Sequence, residues 1–125
     1  MRQKRYAVAL SFLLLVVPVV LAQMAPSISL SITPNPKKMP GKLLGEGTWD
    51  LAGQGTLVSI TFETELKGTG QVISKPATIN GKLWEATLTV APGTYNPSRA
   101  IMRYVDAAKK SQSMTVPNNN DQIVK

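Results

Sequence analysis

At 125 residues, the chain has room for one domain, and with no cysteine or histidine it cannot form a disulfide, a thiolate or imidazole metal site, or a histidine-dependent triad. Seven carboxylates against fourteen Lys and Arg give a formal charge of +7, and those seven acids are all that acid-base or metal chemistry could draw on. The cations form no dense stripe of the kind nucleic-acid binders carry, so no nucleic-acid partner is expected, and with no glycine-rich phosphate cradle or metal-ligand cluster in the sequence no cofactor is expected either.

Residues 1–5 are short and positive, residues 7–21 are almost wholly apolar, and Val20-Leu21-Ala22 places small residues three before and immediately before a cut. That order reads as a secretory signal peptide over residues 1–22, with an alternative cut after Ala25. An uncleaved anchor would need about 20 apolar residues and would not welcome Pro18 near its end. Membrane contact is therefore expected only through this segment before cleavage, and the expected location is secreted, periplasmic or cell-surface. Arg2, Lys4 and Arg5 leave with the segment, so the remaining 103 residues carry +4, enough for a mild attraction to acidic surfaces.

Beyond the leader, the pattern is one of strands. Residues 27–33 (S-I-S-L-S-I-T) alternate, with Ile28, Leu30 and Ile32 on one face, and Pro34-Asn35-Pro36 ends the run. A loop with Lys37, Lys38 and Lys42 is punctuated by Pro40 and Gly41. Residues 43–51 predict a strand weakened by Gly45 and Gly47. Over 57–66, Val58, Ile60 and Phe62 are expected to face inward, and Ser59, Thr61, Glu63 and Glu65 outward. Gly68-Thr69-Gly70 turns the chain into a strand over 71–74, and Pro76 keeps the next stretch at an edge or bend. Asn80-Gly81 predicts a type I′ hairpin turn, with positive φ at both residues. The next strand places Trp84, Ala86, Leu88 and Val90 on its buried face and Leu83, Glu85, Thr87 and Thr89 on the other. Pro92-Gly93 turns the chain ahead of Tyr95. Residues 99–105 predict Ala100, Met102 and Tyr104 inward, with a bulge near Pro97 joining the two halves. A turn over 106–110, a last strand over 111–116 and a flexible polar tail over 117–125 complete the chain.

Seven short strands with turn signals between them, and no helical periodicity after the leader, predict an all-β sandwich over residues 27–116; a small barrel is the alternative. At Asn80-Gly81, Trp84, Ala91-Pro92-Gly93-Thr94-Tyr95 and Asp106-Ala107-Ala108, the sequence resembles the second half of a bacterial Ig-like repeat. In that pattern N-G-x-W leads to an apolar strand, then G-x-Y, a strand holding an alanine, and D-x-x-G. The likeness spans roughly residues 27–116 and is carried by the part from Thr78 onward. Two departures stand out: residues 97–99 interrupt a strand that runs unbroken in the family, and Lys109 replaces the usual glycine. The resemblance implies an immunoglobulin-like β-sandwich of about seven strands behind a signal-peptide helix, with Tyr95 as a buried tyrosine corner. It also implies an exported module for adhesion, spacing or domain packing that is not an enzyme.

The candidate binding residues are Lys37, Lys38 and Lys42, which with Arg99 and Arg103 suit an acidic envelope polymer or a protein, and Trp49, which could stack on a sugar if exposed. Glu63 and Glu65, about 7 Å apart on one strand face, have the spacing of an inverting glycosidase pair. A solvated face opposite a buried one is the simpler account of them. Asn118, Asn119, Asn120 and Asp121 could offer oxygens to calcium, but a hard cation wants six to eight from a rigid loop. The expected function is an exported non-catalytic binding or structural module at the cell envelope. Its alternatives are a small secreted carbohydrate-active hydrolase using Glu63 and Glu65, or an accessory module that packs on a partner protein.

Overall fold

The computed structural model describes residues 25–125, and the expected leader lies outside them. Ten strands follow one another: β1 (Ser27–Ile28), β2 (Ser31–Pro34), β3 (Lys42–Asp50), β4 (Gly55–Leu66), β5 (Gln71–Pro76), β6 (Thr78–Asn80), β7 (Leu83–Thr89), β8 (Gly93–Asp106), β9 (Ser111–Asn118) and β10 (Gln122–Val124). A single 3-10 turn, Pro36–Lys38, is the one helical element among the described residues. Every pairing is antiparallel. In the first sheet β1 and β2 share one edge of β3, β7 lies along the other, and β6 closes the sheet beyond β7. The second sheet repeats the plan: β9 and β10 share one edge of β8, β4 lies along the other, and β5 closes it. The two sheets enclose one core, and the protein is a β-sandwich.

Period-2 patterning explains which face each strand buries. Trp84, Ala86 and Leu88 of β7 are buried while Leu83, Glu85 and Thr89 lie on the outer face. From the opposing sheet come Ile60, Phe62, Ala100 and Met102, each at most 1% exposed, with Tyr104 packed behind them. Two buried hydroxyls, those of Thr64 and Ser98, satisfy each other at 2.8 Å. Tyr95, 1% exposed, donates its hydroxyl to the Ala91 carbonyl at 2.7 Å, the corner the sequence predicts, and burial raises its phenol pKa above the ordinary value.

The two glycines of β3 have packing reasons. A Cβ on Gly45 would lie 2.7 Å from the Phe62 ring, so the bare backbone is the floor on which that ring rests. A Cβ on Gly47 would lie 2.1 Å from the Ser29 carbonyl oxygen, which accepts the indole N–H of Trp84 at 3.1 Å. That carbonyl leaves the ladder to cap Trp84, so the expected first strand is split into β1 and β2 around Ser29 and Leu30.

Four further expectations are corrected. Val58 is 64% exposed rather than core: β4 slips against β8 between Leu57 and Ser59, and the extra residue turns out while Leu57 packs inward. The 78–89 hairpin exists, but Asn80 pairs with Leu83, so the two loop residues are Gly81 and Lys82. Only Gly81 (φ +61) is left-handed there, the pattern of a type II′ turn. The strand count rises from about seven to ten, through the split first strand, β6 and β10. Residues 117–125 are not a strandless tail: Pro117 and Asn118 finish β9, and Gln122–Val124 pairs with the start of β8, burying Val124 to 2%. By contrast, the bulge expected near Pro97 is present. Three steps of β8, from Ser98 to Tyr95, face two of β4, from Thr64 to Leu66. Lys109 holds φ +66, the left-handed conformation that a glycine would take at that place.

Two substitutions test this core by urea denaturation. Tyr95→Phe should cost about 1 kcal/mol for one net hydrogen bond. Gly47→Ala should cost on the order of 2 kcal/mol, since its methyl meets backbone and not a movable side chain. A Gly47→Ala midpoint equal to that of the native protein would remove the Ser29 carbonyl from its place over β3.

Candidate binding site

The turn between β2 and β3 gathers most of the basic candidates. Its mouth closes through Asn35 N–H to the Lys42 carbonyl at 2.9 Å. Within it Asn35, Lys37 and Lys38 are left-handed at φ +50, +53 and +62, each costing a non-glycine residue roughly 1 kcal/mol or more. The compensation comes from β10. The Asn35 carboxamide donates to the Ile123 carbonyl at 3.1 Å and accepts from the Lys125 N–H at 3.0 Å, doing for this edge what a peptide group of a paired strand would do. Gly41 N–H adds a bond to the Lys125 carbonyl at 2.8 Å.

Held this way, Asn35, Lys38, Pro40 and Lys125 line an open hollow of about 320 Å³ bordered by no Asp or Glu side chain. Lys37 is exposed beside it. Lys42 is outside the lining, its ammonium donating to Thr89 Oγ1 at 2.8 Å. The arrangement can attract and hold anions through exposed ammonium groups.

Trp49 belongs elsewhere. It lies at the other end of β3, roughly 25 Å from Lys42 at the rise of an extended strand. Its ring is partly buried against the core, and the Lys82 ammonium sits 4.9 Å from the ring centroid while also pairing with Asp50 at 3.2 Å. The structure therefore brings the three lysines to one end and leaves Trp49 at the opposite one.

Glu63 and Glu65 share the outer face of β4, as expected, but Glu63 is ion-paired with Arg99 directly across the ladder. The space they border with Thr64, Val72 and Pro97 is about 30 Å³, room for about one water. In the 118–121 turn, Asn118 Oδ1 accepts the Asn120 N–H at 3.0 Å, and Asp121 takes Lys67 at 2.9 Å and Asn96 at 2.7 Å. No group of three or more acids that could hold a metal ion occurs among the described residues.

Two features escaped sequence reasoning. Lys125 and Asn35 join only because β10 exists, and three residues are too few to announce a strand. Glu46 and Glu85 stand directly opposite each other and border a second hollow, about 250 Å³, with Thr78, Asn80 and Leu83. Glu85 was readable as outward-facing, but its pairing with Glu46 was not.

Three aspartates anchor turns. Asp50 is held below the usual carboxylate pKa first by the Ala52 N–H and then by Lys82; Asp106 by the Gln112 side chain and then the Lys110 N–H; Asp121 by Asn96 and then Lys67. Lowered folded-state values mean that their stabilisation is present above the ordinary carboxylate pKa of about 4 and fades as pH falls through the folded values. Stability should thus decline on acidification below about pH 4, and Asp106→Asn should flatten part of that decline in acid-titrated denaturation curves.

No family model matches the chain, and no curated protein matches it. The clamp on β10 gives the site its own check. Asn35→Ala should lower stability by about 1–2 kcal/mol and speed hydrogen exchange at the amides of β10 before those of β7. Unchanged exchange at β10 would mean that the carboxamide holds nothing.

Proposed function

We propose that the protein is an exported Ig-like β-sandwich module that holds an acidic partner, an envelope polymer or a protein surface, on the lysines of its 35–42 turn, without performing chemistry. The observation that carries this is the hollow between Lys38 and Lys125 on a turn pinned to β10, a fixed cationic concavity with no acidic side chain in its lining. Rigid presentation lowers the ordering cost of binding.

Ig-like identity is supported by strand order. Taking β1/β2, β3, β4, β5, β6, β7, β8 and β9/β10 as A, B, C, C′, D, E, F and G, the sheets read A-B-E-D and C′-C-F-G, the arrangement of immunoglobulin-type sandwiches. Tyr95 near the start of F and its bond to Ala91 add the corner of that fold. Export is supported by the charged start, apolar run and small-residue site over residues 1–22. The hydrolase alternative has less in its favour, because Glu63 is committed to Arg99 and the space beside it takes no sugar.

Binding of a soluble polyanion should weaken as salt rises, because exposed charges are screened beyond about 8 Å at physiological ionic strength. With Lys37, Lys38 and Lys42 all changed to Ser, association should slow several-fold, while stability should move by no more than about 0.5 kcal/mol. Stopped-flow association at two salt concentrations reads both. Salt-independent binding untouched by the triple change would dismiss the turn, and glycoside hydrolysis lost on Glu63→Gln with Glu65→Gln would replace the binding reading with an enzymatic one. Intact-mass analysis should show the exported protein without residues 1–22.

A further inference from the structure

The eight residues of β9, S-Q-S-M-T-V-P-N, pair with β8 along one edge only. Which backbone groups face the open side is set by the ladder. Asp106 N–H donates to the Lys110 carbonyl at 2.9 Å, which marks that pair as hydrogen-bonded, and pairing then runs without a register shift from Val105↔Ser111 to Ser98↔Asn118. Hydrogen-bonded and non-hydrogen-bonded pairs alternate in an antiparallel ladder. Gln112, Met114 and Val116 therefore direct N–H and C=O to β8, and Ser111, Ser113, Thr115 and Pro117 direct theirs outward. Pro117 agrees with this phase, having no N–H to give β8.

Natural sheets guard such edges with charge, proline, bulges or short length. The other edges here are guarded: β5 has Lys75 and Pro76, β6 and β10 have three residues each, and the edge of β1 and β2 is interrupted at Ser29 and Leu30. β9 has no charged residue, and its proline comes only at the seventh of eight positions.

We propose that β9 is a two-fold interface on which a second copy of this chain pairs antiparallel, fusing the two second sheets into one continuous sheet. Of the outward residues, Ser111, Ser113 and Thr115 carry both N–H and C=O, a ladder of three centred on Ser113 that is complementary to itself. Ser113 meets the partner's Ser113, and Ser111 meets the partner's Thr115, each pair exchanging two hydrogen bonds. The side chains on the outer face of this seam are hydroxyls, which pair well across strands. Lys109 and Lys110 fall beside the partner's Pro117 and Val116, so no like charges oppose each other. An unrelated strand could use the same N–H and C=O groups, but the symmetry of the ladder and its freedom from like charge single out a copy. The pairing is independent of what the lysine turn binds.

Sedimentation of protein purified after expression of the full sequence should show a monomer at low concentration and a dimer at high concentration. Ser113→Lys, on an exposed outer-face position, sets two ammonium groups across the axis and should weaken the dimer at least tenfold with an unchanged circular dichroism spectrum. The chain has no cysteine, so single cysteines report register directly. Ser113→Cys should cross-link under mild oxidation, because facing Cα atoms in such a pair lie about 5.5 Å apart, within disulfide range. Ser111→Cys should not, its two copies being roughly 14 Å apart along the strands. A monomer at every concentration, a dimer indifferent to Ser113→Lys, or equal cross-linking at the two positions would each overturn the proposal.

Discussion

The sandwich depends on the contact that Phe62 makes across its middle. The ring lies on the bare backbone at Gly45 in one direction and meets Trp84 in the other, centroids 6.4 Å apart and planes tilted by 47°. Aromatic pairs at this separation contribute beyond their buried area, and here they also fix how closely the sheets approach. Trp84 is in turn fixed by the Ser29 carbonyl, and that carbonyl reaches it only because Gly47 has no side chain. Two glycines, two aromatic rings and one diverted carbonyl thus form a single unit.

Much of this was legible in the residues. Trp84, Ala86 and Leu88, together with Ala100 and Met102, announced their faces because strict alternation leaves a strand little choice once one side is apolar. The bulge near Pro97 was legible for the opposite reason, since the pattern broke where a proline intervened. What stayed hidden was pairing. Val58 looked like core because alternation counts from its own strand, whereas its exposure comes from a slip against β8. The glycines of β3 looked like weakness because their partners, Phe62 and the Ser29 carbonyl, are distant in sequence. β10 was invisible because three residues carry no period, and its stability comes from β8 and the Asn35 clamp.

The candidate site divides along the same line. Lys37, Lys38 and Lys42 were visible as a basic turn. Their concavity needed Lys125, brought from 90 residues beyond Asn35 by β10. Trp49 could not be separated from them by inspection, although a nine-residue strand between Lys42 and Asp50 already implies opposite ends. In both sheets a long central strand, β3 or β8, has one edge divided between two strands, so each end of the sandwich is built from chain segments far apart in sequence.

The two tryptophans occupy different electrostatic surroundings, and this has an optical consequence. Trp84 is sealed between the sheets at 2% exposure with its indole N–H bonded to a carbonyl, whereas Trp49 lies at one end beneath a lysine ammonium. A nearby cation shifts indole emission, and Lys82 lies over Trp49, whose own indole N–H is buried and lacks a hydrogen-bond partner. The protein therefore carries two intrinsic probes with separable spectra. One reports whether the sheets are together, and the other whether the hairpin of Gly81 and Lys82 is still folded over its end.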